Sequence, residues 1–271
     1  MSSGGTFRQW TIAAMSRVAI VALGLTGALV LPLGARADSP DSAPPEVLAA
    51  IERLARAANN RDLPALMDAY DSRFAHDDGF DRAALREATE DFWARYETLT
   101  YDIELLGWEA TPNGYVTETE VTIAGTTDEL RAFQLQSALR SRQTFSGDRI
   151  VRQTTLEEVS VLTAGSGAPD VRVQIPDGVA PSERFDFDAI VVEPLGDSFL
   201  LGGALDETVD GLPALGASTI ELRPLMAGGL FKTGTAPDND LWLSGALVRE
   251  DGITIVTHRL PVAPRQASDG H

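Results

Sequence analysis

Hydrophobic and polar positions change their spacing along this chain. Between residues 45 and 96, apolar residues recur every three or four positions, the period of an α-helix with one buried face. Between residues 99 and 162 they alternate with polar residues, the period of a half-buried β-strand. After residue 170 short alternating runs continue, and no helical period returns. The pattern predicts helices first and strands afterwards.

Three helices are expected in the first stretch. Pro44 and Pro45 suit the start of the first, because a proline in the first turn loses no hydrogen bond. Asp62 and Asp81 are the expected N-caps of the second and third. The buried stripe of the second continues to Tyr70 and Phe74. That of the third consists of Leu85, Ala88, Phe92 and Tyr96, with Trp93 at its edge.

Four strands should follow, over residues 99–108, 114–124, 130–145 and 149–162. Three helices followed by these strands predict an α+β cone, with the helices on a curved antiparallel sheet that encloses a pocket. Alternation places Thr117, Thr119, Val121 and Ile123 on one face of the second strand, the side of the apolar residues. It places charged side chains together on the opposite face of the sheet: Asp102, Glu104, Glu118, Glu120, Arg140 and Arg142. We interpret them as a cross-strand charge ladder, which faces solvent, a dimer partner or a second domain.

The stretch from Ala164 to Pro169 is rich in glycine and is the expected linker. Six or seven short strands follow, separated by glycine-containing turns, which predicts an all-β sandwich. The runs that carry this prediction are 171–175, 184–192, 198–205, 219–225, 241–248 and 253–260. The predicted organisation is a leader at 38–44, an α+β domain at 45–163, a linker at 164–169, a sandwich at 170–263 and a disordered tail at 264–271.

The first 37 residues are predicted to be a secretory signal peptide. Arg8 and Arg17 precede an apolar run, and Ala35-Arg36-Ala37 places small residues at the positions that define cleavage before Asp38. Met15 would itself begin a signal peptide of ordinary length, so either Met1 or Met15 can be the start. The mature protein is expected outside the cytoplasm, periplasmic or extracellular, without a stable membrane anchor.

Composition narrows the possible partners and sites. With 22 basic and 40 acidic residues the net charge is −18, which disfavours nucleic acid and anionic membrane surfaces. The absence of cysteine excludes disulfides, thiolate metal sites and a cysteine nucleophile. Three histidines are too few for an ordinary zinc site. Asp238-Asn239-Asp240 lacks the rest of a calcium loop and is expected to be a turn. We expect no metal and no cofactor.

Several local motifs resemble the NTF2-like superfamily, also described as SnoaL-like or ketosteroid-isomerase-like. They are Asn60-Arg61-Asp62-Leu63, Tyr70, Asp78-Gly79, Phe92-Trp93 and the hairpin from Phe145 to Val151. From residue 171 to 262 the chain is similar to bacterial Ig-like domains, notably from Val179 to Phe185. The resemblance implies a pocket or dimer surface, followed by a rigid Ig-like docking module.

The isomerases of this superfamily need a carboxylate base and two oxyanion donors. Asp77 or Asp78 falls at the position that the resemblance implies for the base. Leu54 and Ser141 fall near where the donor tyrosine and the donor acid are expected. Losing one such donor typically costs about 100–1000-fold in rate, so isomerase chemistry is not expected.

The candidate site residues form two groups. His76 beside Asp77 and Asp78 suits general acid–base chemistry, as in a lyase or isomerase, or is simply an exposed turn. Tyr70, Trp93, Tyr96 and Trp108 line a pocket for a flat apolar ligand, or belong to the core.

Three functions remain open. The first is an exported two-domain binding or adaptor protein, whose partner is a small apolar molecule or a protein, with a homodimer through the sheet as a further option. The second is a small-molecule lyase or isomerase using His76. The third is an accessory subunit of an envelope assembly. The sequence leans against an enzyme.

Overall fold

The computed structural model describes residues 10–14, 38–127, 132–193, 199–212, 218–225 and 228–263. Most of the predicted signal peptide and the whole predicted tail lie outside these residues. Of the signal peptide, only the backbone of Trp10–Ala14 is described, and it is a strand.

The described residues contain three α-helices and thirteen strands. The helices are α1 (Pro45–Asn59), α2 (Leu63–Asp68) and α3 (Arg82–Arg95), and a 3-10 turn at Pro40–Ser42 precedes them. The first strands are β1 (Trp10–Ala14), β2 (Tyr70–His76), β3 (Tyr96–Thr111), β4 (Gly114–Thr127), β5 (Gln134–Ser146) and β6 (Arg149–Gly165). The later ones are β7 (Val171–Gln174), β8 (Arg184–Val191), β9 (Leu201–Thr208), β10 (Ser218–Pro224), β11 (Gly229–Thr235), β12 (Leu241–Val248) and β13 (Gly252–Leu260).

The described residues divide into two compact units. The N-terminal unit comprises residues 38–162 and 209–212, and the C-terminal unit comprises the rest. The bounds predicted for the domains and the linker stay predictions.

In the N-terminal unit, β6, β5, β4 and β3 lie side by side in that order. β4 pairs antiparallel with β3 and β5, and β2 pairs parallel with β6. Helix α1 packs its apolar stripe on one sheet face, because the 3.6-residue period brings its apolar side chains to one side. The shared core consists of Val47, Ala50, Ile51, Leu54, Phe74, Leu105, Tyr115, Phe145 and Ile150.

The predicted fold class, an α+β cone followed by an Ig-like sandwich, is wrong. Strand accounts for 58% of the described residues and helix for 18%, which does not fit three helices on a curved sheet. The segment from Tyr70 to Phe74, assigned to the second helix, is strand β2. The Arg82 guanidinium donates to the carbonyl oxygens of Met67 (2.9 Å) and Tyr70 (3.1 Å). These carbonyls therefore have a side-chain donor in place of the N–H groups that a further helical turn would supply.

The C-terminal unit contains two sheets. One has the order β1-β10-β9-β12-β13 and the other the order β11-β8-β7. Gly245 on β12 lies against Phe187 of β8 and Leu230 of β11, so the two sheets face each other there. Strand β11 is absent from the sequence prediction, because Gly-Leu-Phe-Lys-Thr-Gly-Thr has glycines where a strand usually carries packing side chains.

Asp240 has a structural role in the C-terminal unit. Its carboxylate accepts hydrogen bonds from Arg259 Nε (2.8 Å) and from the Val262 backbone N–H (2.7 Å). The arginine side chain is only 5% exposed, so the ion pair compensates a buried charge. In the Asp238-Asn239-Asp240 stretch, the carboxylate of Asp240 therefore binds protein groups.

Candidate functional site

The structure brings His76, Asp77 and Asp78 together at the end of β2. His76 Nδ1 accepts the backbone N–H of Asp78 (3.0 Å) and lies 3.5 Å from Asp78 Oδ2. Its Nε2 lies 3.2 Å from Thr155 Oγ1. Because Nδ1 accepts a hydrogen bond, the neutral ring carries its hydrogen on Nε2 and donates a hydrogen bond from there to the Thr155 hydroxyl.

The imidazole of His76 is enclosed by protein. Its side chain is 2% exposed, and the ring stacks on Phe80 with centroids 4.1 Å apart. A general acid or base must reach the proton that it transfers, either directly or through one water. In this conformation the ring reaches protein atoms, and the catalytic hypothesis for His76, Asp77 and Asp78 stays a prediction.

The two neighbouring aspartates connect separate segments. Asp77 pairs with Arg152 of β6 (2.6 Å) and accepts the hydroxyl of Thr154. The carbonyl of Asp78 accepts the backbone N–H of Gly211 (2.7 Å). These contacts join the end of β2 to β6 and to residues 209–212.

The four aromatic candidates lie in two places. Tyr70 and Trp108 pack against the α1 core; Trp108 Nε1 donates to Ser42 Oγ (3.1 Å), and burial raises the pKa of Tyr70 to about 12. Trp93 and Tyr96, both 7% exposed, lie at the end of α3. Trp93, expected at the edge of a stripe, is inside the core.

The Trp93 indole has a fixed partner. Its Nε1 donates to the hydroxyl of Tyr101 (2.8 Å), and burial raises the pKa of that tyrosine above its usual range. Arg61, which has a positive φ of 49°, donates to the carbonyls of Trp93 (3.2 Å) and Glu97 (2.9 Å). The junction of α3 and β3 is therefore held by polar contacts around a buried indole.

Sequence reasoning missed a buried polar network on the sheet face that packs on α1. Gln143 Oε1 accepts the hydroxyl of Thr117 (2.8 Å), and its Nε2 donates to Thr119 (2.8 Å) and Ser141 (2.7 Å). All four side chains are buried. The signal was the alternation of hydroxyl residues on the face that the period-2 pattern assigns to the core.

Part of the predicted cross-strand charge ladder is present as ion pairs. Arg140 Nε donates to Glu118 Oε1 (2.6 Å), and Arg142 reaches the other oxygen of the same carboxylate (3.4 Å). Arg140 also pairs with Glu157 of β6 (3.2 Å). These strands therefore carry one three-strand ion network on the face away from α1.

An open cleft of about 430 Å³ lies between α1, α2 and the turn that joins β5 to β6. Its charged lining consists of Arg53, Arg56, Arg149, Asp62, Asp68 and Asp148. Asp62 caps α2 through the N–H of Ala65 (3.0 Å), and Arg53 lies 3.9 Å from Asp148. The cleft has equal numbers of positive and negative side chains, which suits a polar surface contact better than an apolar ligand.

No group of three or more His, Asp or Glu side chains in the described residues is placed to hold a metal ion. In the same part of the chain, no helix is both long and apolar enough to cross a membrane.

A family described as a domain of unknown function (DUF8623) matches residues 166–263. No curated protein matches the chain. A solved structure of a conserved protein from Planctomyces limnophilus is 14% identical, with 40% of this chain and 91% of that chain covered and a TM-score of 0.31. An LEH-like epoxide hydrolase from M. tuberculosis is 16% identical, with coverage of 41% and 80% and a TM-score of 0.30.

A function-unknown protein from Mycobacterium tuberculosis is 18% identical, with 41% of this chain and 68% of that chain covered and a TM-score of 0.27. These are weak structural neighbours, and the predicted resemblance to the NTF2-like superfamily stays a prediction. An Ig-like domain is not shown. With TM-scores this low, these similarities carry no argument about activity.

Proposed function

We propose that this protein is an exported, non-catalytic adaptor that recognises another protein through the surface of its N-terminal unit. One observation carries the proposal: the groups suited to chemistry or to an apolar ligand are already bound inside the protein. The His76 side chain is 2% exposed and both its ring nitrogens have protein partners. The Trp93 indole is buried against Tyr101.

The accessible features of the N-terminal unit favour a protein partner over a small apolar molecule. The cleft beside α1 and α2 is open and lined by charged side chains of both signs. Protein interfaces commonly have such a polar, solvent-accessible rim. Export is part of the proposal because of the predicted signal peptide, and N-terminal sequencing of the mature protein would test it, with Asp38 expected first.

The test is native mass spectrometry of the full mature chain purified from its own host, combined with chemical cross-linking in intact cells. We expect a mass equal to that of the polypeptide alone, and cross-links from residues 38–162 to a second protein. A small molecule bound at one equivalent, released on unfolding, would overturn the adaptor proposal. A parallel preparation of a Trp93→Phe variant is the matched control for a ligand held in the interior.

A further inference from the structure

The outer edge of strand β3 is closed at two points. At Tyr101, the side-chain amide of Asn59 accepts the backbone N–H (2.9 Å) and donates to the backbone carbonyl (2.8 Å). At Trp108, the backbone carbonyl of Asp38 accepts the N–H (3.3 Å) and the backbone N–H of Asp38 donates to the carbonyl (2.8 Å). Both contacts imitate a neighbouring strand, which is how proteins protect the edge of a sheet.

Between these two points the edge is open in that no strand of the described residues pairs with it; Asp102 and Glu104 are exposed there, whereas Leu105 is buried. In an antiparallel pair, successive residues direct their N–H and C=O groups alternately toward the partner strand and away from it. Tyr101 directs its groups away from β4, so Ile103 and Leu105 do as well. The register shifts between Leu105 and Gly107, which returns Trp108 to the outward position. Among the described residues, no hydrogen-bond partner is found for the outward groups of Ile103 and Leu105.

Helix α1 forms one wall of this open stretch. Ser42, just before α1, bonds the Trp108 side chain, and Asn59, the last residue of α1, bonds Tyr101. The helix therefore runs alongside β3 in the opposite direction. Leu48, Ala55 and Asn59 lie on one helical stripe, because Ala55 follows Leu48 by seven residues and Asn59 follows Ala55 by four; Leu48 is 44% exposed. The apolar part of this wall is Leu48 and Ala55; Glu52, between them on the stripe, pairs with Arg56 (3.4 Å).

The other side of the open stretch is acidic. Asp102 and Glu104 are exposed on the sheet face away from α1, and neither takes part in an ion pair among the described residues. Glu104 lies directly opposite Glu120 on β4. Like charges in direct opposition are unfavourable, so a basic side chain beside them would relieve the repulsion.

We propose that this edge binds an extended segment of a partner protein, which adds a strand to β3 between Tyr101 and Trp108. Residues of the segment that point toward α1 are apolar and contact Leu48. Those that point the other way are Lys or Arg and pair with Asp102 and Glu104. This inference rests on the adaptor function and names the class of partner. Main-chain hydrogen bonds supply the affinity, and the alternating side chains supply the specificity.

A second copy of this chain suits the edge less well. Antiparallel pairing of two β3 edges over the same stretch brings Asp102 and Glu104 of both copies together, and each copy carries a net charge of −18. A basic, alternating segment removes this repulsion. Self-association through the edge is therefore an outcome that would contradict the proposal.

The test measures binding of a fluorescein-labelled nine-residue peptide, in which Val and Lys alternate, to the full mature chain by fluorescence anisotropy. The protein stays unaltered while the peptide backbone changes. N-methylation of the amides that face β3 should weaken binding at least tenfold, and N-methylation of the amides that face away should change it less than twofold. A block peptide of the same composition, with the lysines together, controls for general charge attraction. Equal binding of all these peptides would overturn the proposal.

Protein variants give an independent test. Ile103→Pro removes an outward N–H without removing a bond to β4, and should weaken peptide binding at least tenfold, whereas Ile103→Val should not. Glu104→Arg should weaken the Val–Lys peptide and strengthen a Val–Glu peptide. Thermal unfolding establishes that each variant is folded. Sedimentation that shows a dimer lost in Ile103→Pro would overturn the proposal in favour of self-association.

The two proposals fail in different ways. A bound small molecule in native mass spectrometry contradicts the adaptor function itself. Cross-links to a partner protein from the cleft beside α2, together with no register-dependent peptide binding, contradict only the assignment of the β3 edge.

Discussion

The interiors of the two units bury polar groups by different means. In the N-terminal unit, the neutral amide of Gln143 is shared among the hydroxyls of Thr117, Thr119 and Ser141. In the C-terminal unit, the Arg259–Asp240 ion pair is largely buried, and His258 is partly buried with its pKa lowered to about 4 by desolvation. A neutral network does not titrate, but a buried ionisable group does. The contrast predicts that the stability contributed by His258 depends on pH and that the stability contributed by the Gln143 network does not.

The comparison also separates burial from function. His76 in the N-terminal unit is buried, His258 in the C-terminal unit is partly buried, and neither lines the cleft beside α1 and α2. His76 is held by hydrogen bonds and ring stacking. For His258, desolvation by burial is what lowers the pKa. An isolated histidine in a sequence is therefore a weak indicator of catalysis, because the core of a protein can use it as well.

The largest expected effect concerns the core at the end of α3. Phe92→Ala should cost about 3–5 kcal/mol, the usual penalty for deleting a buried aromatic side chain. Trp93→Ala should cost as much, since the indole is 7% exposed and bonded to Tyr101. Chemical denaturation of both variants beside the wild type measures the difference. A loss of only about 1–2 kcal/mol for Trp93→Ala would indicate a partly open cavity and would reopen the case for ligand binding.

The next effect concerns the neutral network. Gln143→Leu should lower the free energy of unfolding by about 3 kcal/mol, because the buried hydroxyls of Thr117, Thr119 and Ser141 lose their hydrogen-bond partner. The loss should be the same at pH 5 and pH 8. Ser137→Ala is the matched control on the same strand: it removes only the hydroxyl contact with Ser160 (2.9 Å) and should cost about 1 kcal/mol. A strong pH dependence for Gln143→Leu would contradict the contrast between the units.

The sequence predicted the strands of this region better than their chemistry. Alternation placed Thr117 and Thr119 on the buried face of β4, and both are buried. The hydrogen bonds that make this possible join residues more than twenty positions apart, and local spacing carries no information about them. Helix α2 was predicted too long for a similar reason, since the Arg82 guanidinium that binds the carbonyl oxygens of Met67 and Tyr70 is distant in sequence.

The candidate site was predicted less well than the strands. The sequence grouped His76 with Asp77 and Asp78 because they are consecutive, and their role as a site stays a prediction. It gave no sign that Phe80 and Thr155 enclose the ring, since both contacts depend on tertiary packing. The open edge of β3 could not be predicted from the sequence either. It depends on which strand lies last in the sheet and on where Asn59 and Asp38 contact that strand.

The third prediction tests the titrating side of the comparison. The folded-state pKa of His258, about 4, lies below its usual value of 6.5, so the unfolded chain takes up the proton first as the pH falls. The stabilisation is complete above pH 6.5 and decreases between pH 6.5 and pH 4. We expect this histidine to account for about 1–3 kcal/mol of that decrease.

Urea denaturation at several pH values, with wild type and His258→Gln in parallel, checks this expectation. The glutamine variant does not titrate, so the difference in unfolding free energy between the two proteins should change over the same interval. A difference that is constant from pH 4 to pH 7 would mean that His258 is solvated in the folded protein, and the two interiors would then be alike in this respect.

The smallest expected effect concerns the ion network on the outer face of the N-terminal sheet. The Arg142 side chain is 58% exposed, and its contact with Glu118 is 3.4 Å long. Arg142→Gln should therefore change stability by less than about 1 kcal/mol, and added salt should remove most of the change. Arg140→Gln should cost more than Arg142→Gln, because the Arg140 side chain is only 25% exposed and also pairs with Glu157. Equal losses for the two variants at low and high salt would show that burial does not distinguish the pairs.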